Sequence, residues 1–107
     1  LNKNKFDYLF HIRVTDGGSI LPTGGCTLAA IVTGDKLKWG VSRCSEKDNF
    51  CKKVGRAIAS TRAQGTQAME TRKMDIPALR IFADLLGAHI NQKSSVTEIA
   101  EVIGQYR

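Results

Sequence analysis

The sequence predicts an α+β domain: a small antiparallel sheet of about three strands followed by about three helices. Three observations carry this reading. Residues 6–14 and 37–43 alternate with period two around a more apolar run at 27–33, the period becomes helical after Ser45, and Pro, Gly and a capping pair punctuate the C-terminal half. A chain of 107 residues suits one domain, spanning 1–107, that can bury a core without staples.

The first strand rests on Phe6, Tyr8, Phe10, Ile12 and Val14, which alternate with Asp7, Leu9, His11 and Arg13. Asp16-Gly17-Gly18 ends it, and a Gly/Pro/Ser loop runs to Gly25. Thr27 to Thr33 forms a second, more apolar strand. The turn signal Gly34-Asp35 makes Leu37 to Arg43 its hairpin partner, with Leu37, Trp39, Val41 and Arg43 on one face. Gly40 inside that strand suggests a bulge or a close backbone approach.

Ser45 is the candidate N-cap of the first helix, with Glu46 and Asp48 in its first turn. Phe50, Val54, Ala57, Ile58 and Thr61 form its apolar stripe as far as about Ala63. At 100° per residue, Asn49, Lys52, Lys53, Arg56 and Ser60 fall opposite. Gly55 and Ala59 make a flat strip that another backbone could approach. Residues 64–75 read as polar and irregular. Pro77 suits the first turn of a second helix and Gly87 its C-terminal cap, with Leu79, Phe82, Leu85 and Leu86 on the apolar face. Asn91 to Ser94 is a polar connection. Ser95 and Glu98 form a capping box for a last helix carrying Val96, Ile99, Val102, Ile103 and Tyr106. The apolar faces of the last two helices suit burial within the monomer and self-association equally.

Hydrophobic residues at 42% and charged residues at 24% speak against wholesale disorder. No apolar run approaches the roughly 20 residues that span a bilayer, and the start lacks the apolar region of a secretory leader. Cys26, Cys44 and Cys51 are odd in number and form no CxxC pair. They read as buried small hydrophobes in a reducing compartment, so a soluble cytoplasmic protein is expected, with no disulfide framework and no metal site.

The net charge of +6 is not evenly spread. Residues 36–73 hold ten basic and three acidic side chains, net +7, while the flanking thirds are near neutral. Such a concentrated field suits an anionic partner. No P-loop, GxGxxG or nucleophile elbow is present, and His11 and His89 read as structural, so no enzyme, catalytic residue or cofactor is expected. The basic helix face is more informative. Lys52 and Arg56, one turn apart, supply a point charge and a planar fork for phosphate. Asn49 offers an amide, Ser60 a hydroxyl. Arg62 lies nearer the apolar side, where it suits a subunit contact.

The run from Trp39 to Ala59 resembles a segment of the Thoeris anti-defence sponge family, small phage proteins. In that segment an aromatic-Gly strand (Trp39-Gly40) leads through Cys-Ser (Cys44-Ser45) and Asp-x-Phe (Asp48 to Phe50). It enters a helix with Gly-Arg-x-Ile-Ala (Gly55 to Ala59) and a later Arg. Cys51 departs from the pattern, where a polar residue is common. The resemblance covers about a quarter of the chain. It implies a protein of the host-cell cytoplasm that sequesters cyclic ADP-ribose-type signals made by bacterial TIR enzymes, without degrading them. For some members it extends to cyclic oligonucleotides at a separate site. It further implies a homo-oligomer, a dimer or a higher assembly such as a hexamer, with ligands at subunit interfaces. Arg56 then becomes the main phosphate-binding residue, with Ser60 one turn on. Phe82 and Asn91 are candidates for stacking and base recognition, against a core position for Phe82 and a turn position for Asn91. The alternative is a small basic nucleic-acid-binding module, or an inhibitor of a host defence complex.

Overall fold

The computed structural model describes residues 2–107. Its first strand, β1 (Tyr8–Ile12), leads into a loop containing a two-residue ribbon, β2 (Thr15–Asp16) with β3 (Ser19–Ile20). β4 (Cys26–Thr33) and β5 (Lys36–Arg43) form the hairpin expected around Gly34-Asp35. Helix α1 (Lys52–Ala63) follows, then β6 (Met69–Arg72), α2 (Ile76–Asn91) and α3 (Val96–Gly104). The main sheet is antiparallel, in the order β1-β4-β5-β6. The fold is α+β, with α1 on one face of the sheet and α2 and α3 on the other.

The main core lies on the α2 face. Leu28, Leu37 and Trp39 meet Leu79, Phe82 and Leu86, and Val102 and Ile103 of α3 close it. Phe82 is fully buried between Trp39 and Tyr106, with ring centroids 5.0 and 4.7 Å away. It is a core residue, not a stacking surface. Trp39 Nε1 donates to Thr71 Oγ1 at 2.9 Å, so the buried indole N–H is satisfied.

β6 falls in the stretch expected to be irregular. Met-Glu-Thr-Arg is too short for a period, and its pairing with β5 from Lys36 to Trp39 makes it a strand. The capping box of α3 is present as expected. α2 runs through Gly87 instead of ending there. Gly87 is needed for contact: a Cβ on it would stand 2.5 Å from Ile12 Cγ1. The helix ends about one turn later, after Asn91, in a Schellman motif, with Ser94 N–H donating to His89 C=O, Lys93 N–H to Ile90 C=O, and Lys93 at φ 57°. His89 therefore sits in the last turn, bonded through Nδ1 to Ser94 Oγ at 2.9 Å.

The largest departures concern α1. It starts at Lys52, and residues 45–50 form a loop in which Glu46 pairs with Lys93. Its orientation is turned as well. The sheet surface beneath α1 is made of small residues, Thr27, Ala29, Gly40 and Ser42, so the helix must come close to bury anything. Gly55, Ala59, Ser60 and Ala63 face the sheet. A Cβ on Gly40 would lie 2.1 Å from Ala59 O, which is the close approach that this glycine suggested. Much of the expected apolar stripe points outward: Val54 is 54% exposed and Ile58 37%. Of the cysteines only Cys26 is buried, and burial pushes its thiol up to about 12; Cys51 is exposed.

Candidate anion-binding site

Lys52 and Arg56 stand one turn apart at the N-terminal end of α1, on the flank that faces β1. Arg56 Nε donates to Asn4 Oδ1 at 2.9 Å, so the segment before β1 holds the guanidinium in place. Beneath them lie His11 of β1 and Arg13, the residue just past the end of that strand. Period-two alternation puts both on the α1 side while Phe10 and Ile12 enter the main core.

Phe50 organises these groups. His11 meets its ring edge-on with centroids 5.6 Å apart, and the Arg13 guanidinium lies 4.6 Å over its face. Arg13 also donates from NH2 to Leu21 O at 2.9 Å, while its Nε is buried without a partner. His11 Nδ1 is bonded to Thr27 Oγ1 at 2.9 Å. Burial first, then the charges of Lys52, Arg56 and Arg13, hold the His11 imidazole below its ordinary proton affinity. Among the described residues the ion pairs are Arg80–Asp84 and Lys93–Glu46, and neither involves these three cations. The cluster is therefore positive and uncompensated, and suited to an oxyanion.

The structure assembles only part of the row expected along the helix. Asn49 lies in the loop before α1, bridged to Thr23, and is not on the helix face. Ser60 is fully buried beneath α1 with its hydroxyl unpartnered, so it cannot share a surface with Arg56. Asn91 is the last residue of α2, across the sheet. Its Nδ2 donates to Ile12 O at 3.1 Å and its Oδ1 is buried without a partner. It lines a cleft of about 220 Å³ together with Arg13, which also belongs to the basic cluster. Arg62 donates to Val41 O at 2.7 Å.

Sequence reasoning missed Arg13 and set His11 aside as structural. The signal was available: positions 11 and 13 are polar on a strand whose even positions are apolar. That the start of α1 would sit above them was not. Neither the scan against protein-family models nor the searches of curated proteins and of solved structures finds a match for this chain.

Proposed function

We propose that this protein binds and holds a phosphate-bearing nucleotide signal of the cyclic ADP-ribose type, without degrading it, as an anti-defence sponge. The observation that carries the reading is the convergence of Arg13, Lys52 and Arg56 around His11 with no acidic partner. The resemblance of the Trp39–Ala59 segment to the sponge family supports it independently. A diphosphate would lie against the Lys52 and Arg56 cations. The cleft lined by Asn91, which shares Arg13 with the cluster, would take the base. The exposed Val54 and Ile58 offer an apolar ridge beside the site where a second copy would pack and close it against water.

The test is calorimetric titration with cyclic ADP-ribose isomers and a panel of cyclic oligonucleotides, followed by recovery of the ligand. Tight binding of ligand recovered intact is expected, and Arg56→Ala should weaken it about tenfold or more while leaving the melting temperature within a few degrees. Absence of binding to every member of the panel, with retention of duplex DNA that falls steeply with salt, would replace this reading by a nucleic-acid one.

A further inference from the structure

Strand β5 is longer than the strand beside it. β6 pairs with Lys36 to Trp39, and Gly40 to Arg43 run on with no strand on that side. The chain between α1 and β6 does not fill the gap, because Ala68 N–H turns back to Gly65 C=O at 3.3 Å just before Met69. Between β5 and that turn lies a cavity of about 480 Å³, lined by Trp39, Gly40, Val41 and Arg62 and by residues 65–69. It stands at the β6 edge of the sheet, away from the β1 edge that carries the basic cluster.

Three hydrogen bonds fix which backbone groups face this notch. Cys44 N–H donates to Gly25 C=O, so the even-numbered residues of β5 bond to β4. Arg72 N–H donates off the sheet to Tyr106 C=O, so Thr71 and Met69 bond to Leu37 and Trp39. Arg62 NH1 donates to Val41 C=O at 2.7 Å, from the side that β6 leaves open. The odd-numbered residues of β5 therefore face the notch. The N–H of Val41 and both backbone groups of Arg43 have no partner among the described residues. A second extended backbone is the partner that matches such a row.

Arg62 selects the kind of segment. Its side chain is exposed and joins neither ion pair among the described residues, and its bond to Val41 leaves most of its N–H donors free. A segment in line with β6 and running in the same direction would meet Met69 with its C-terminal end, opposite Val41 and beside Arg62.

We infer that this notch takes the C-terminal end of an extended peptide, which adds a short strand to β5. The peptide residue opposite Arg43 would exchange both backbone bonds with it. The terminal carboxylate would accept from Val41 N–H and from the Arg62 guanidinium, whose planar fork matches it. Exposed Arg43 favours an acidic side chain opposite, at the third residue from the end, and half-buried Val41 favours an apolar last residue. The chain's own C-terminus is held elsewhere, with Tyr106 C=O bonded on the far side of β6.

The probe is acetyl-Thr-Val-Glu-Thr-Val with a free carboxylate, titrated into the whole chain and followed by amide chemical shifts, against the same peptide as its C-terminal amide. The acid should move the amides of Val41 and Arg43, and the amide form should bind about tenfold more weakly. Arg62→Ala should abolish this preference, and Arg62→Lys, which keeps the charge without the fork, should restore only part of it. Lys53→Ala removes an exposed cation at the other end of α1 and should leave the preference intact. Before peptide is added, the Val41 and Arg43 amides should exchange with solvent faster than those of Gly40 and Ser42, which bond to β4. Slow exchange at Val41 and Arg43, no shift at millimolar peptide, equal binding of acid and amide, or an unchanged preference in Arg62→Ala would each overturn the notch. Loss of the preference in Lys53→Ala would reduce it to general charge attraction. Concentration-dependent dimerisation that moves the same amides without peptide would give the edge to a second copy instead.

Discussion

Gly40→Ala would press a methyl group into the backbone of α1. The added Cβ would lie 2.1 Å from Ala59 O, 2.3 Å from Ala63 N and 2.9 Å from the Arg62 carbonyl carbon. These are backbone atoms of a regular helix, so no rotamer change relieves the contact. Restoring an ordinary 3.4 Å contact from 2.1 Å requires α1 to rise by about 1.3 Å. That movement strips contact from Ala59, Ser60 and Ala63, which are fully buried against the sheet. Overpacking of this kind costs about 3 kcal/mol, offset by up to about 1 kcal/mol for replacing a strand glycine. A net loss of about 2 kcal/mol should lower the melting temperature by roughly 8–16 °C, read by circular dichroism and by urea midpoint. Gly104→Ala is the matched control, because nothing lies within 4 Å of a Cβ there. It should be neutral or slightly stabilising. A Gly40→Ala protein that melts within about 3 °C of its parent would mean that the close seat of α1 on the sheet is wrong. The placement of Lys52 and Arg56 over His11 would fall with it.

Ser60→Ala removes a buried, unpartnered hydroxyl, so it should leave stability unchanged or raise it by about 1 kcal/mol, and should leave ligand affinity untouched. Weakened ligand binding in that variant would contradict its buried position. His11 gives a pH dependence of definite sign. Its folded proton affinity lies below the ordinary value of 6.5, so as pH falls through 6.5 the unfolded chain takes up the proton first. Stability should therefore decline below pH 6.5 and level off below the folded value. Urea midpoints measured from pH 7.5 to 5.5 should show this slope, and His11→Gln should flatten it. Oxyanion binding at the cluster favours the imidazolium, so a phosphate-bearing ligand should bind more tightly, with proton uptake, as pH falls across the same window. Identical heats in buffers of different ionisation enthalpy would contradict that coupling.

The sequence by itself determined the elements whose signals are local. Strand β1 and the β4–β5 hairpin follow from period-two alternation and Gly34-Asp35. The capping box of α3 follows from Ser95 and Glu98. The pairing of Lys52 with Arg56 on one helix flank also follows, because four residues make about one turn. Other features were decided only by tertiary contact. The turn of β6 into a strand depends on an edge of β5 to pair with. Gly87 reads as a stop signal until Ile12 is packed against it.

Helix α1 shows the limit most directly. Its larger apolar residues implied one buried face, yet a sheet surface of Thr27, Ala29, Gly40 and Ser42 admits only small residues close to its backbone. Gly55, Ala59 and Ala63 therefore took the inside, Ser60 went in with them, and Val54 and Ile58 were left outside. The cation pair on α1 was legible from spacing alone. Its partners His11 and Arg13 were not, because a helix and a strand forty residues apart meet only when the chain has folded and one face of each has been chosen by shape.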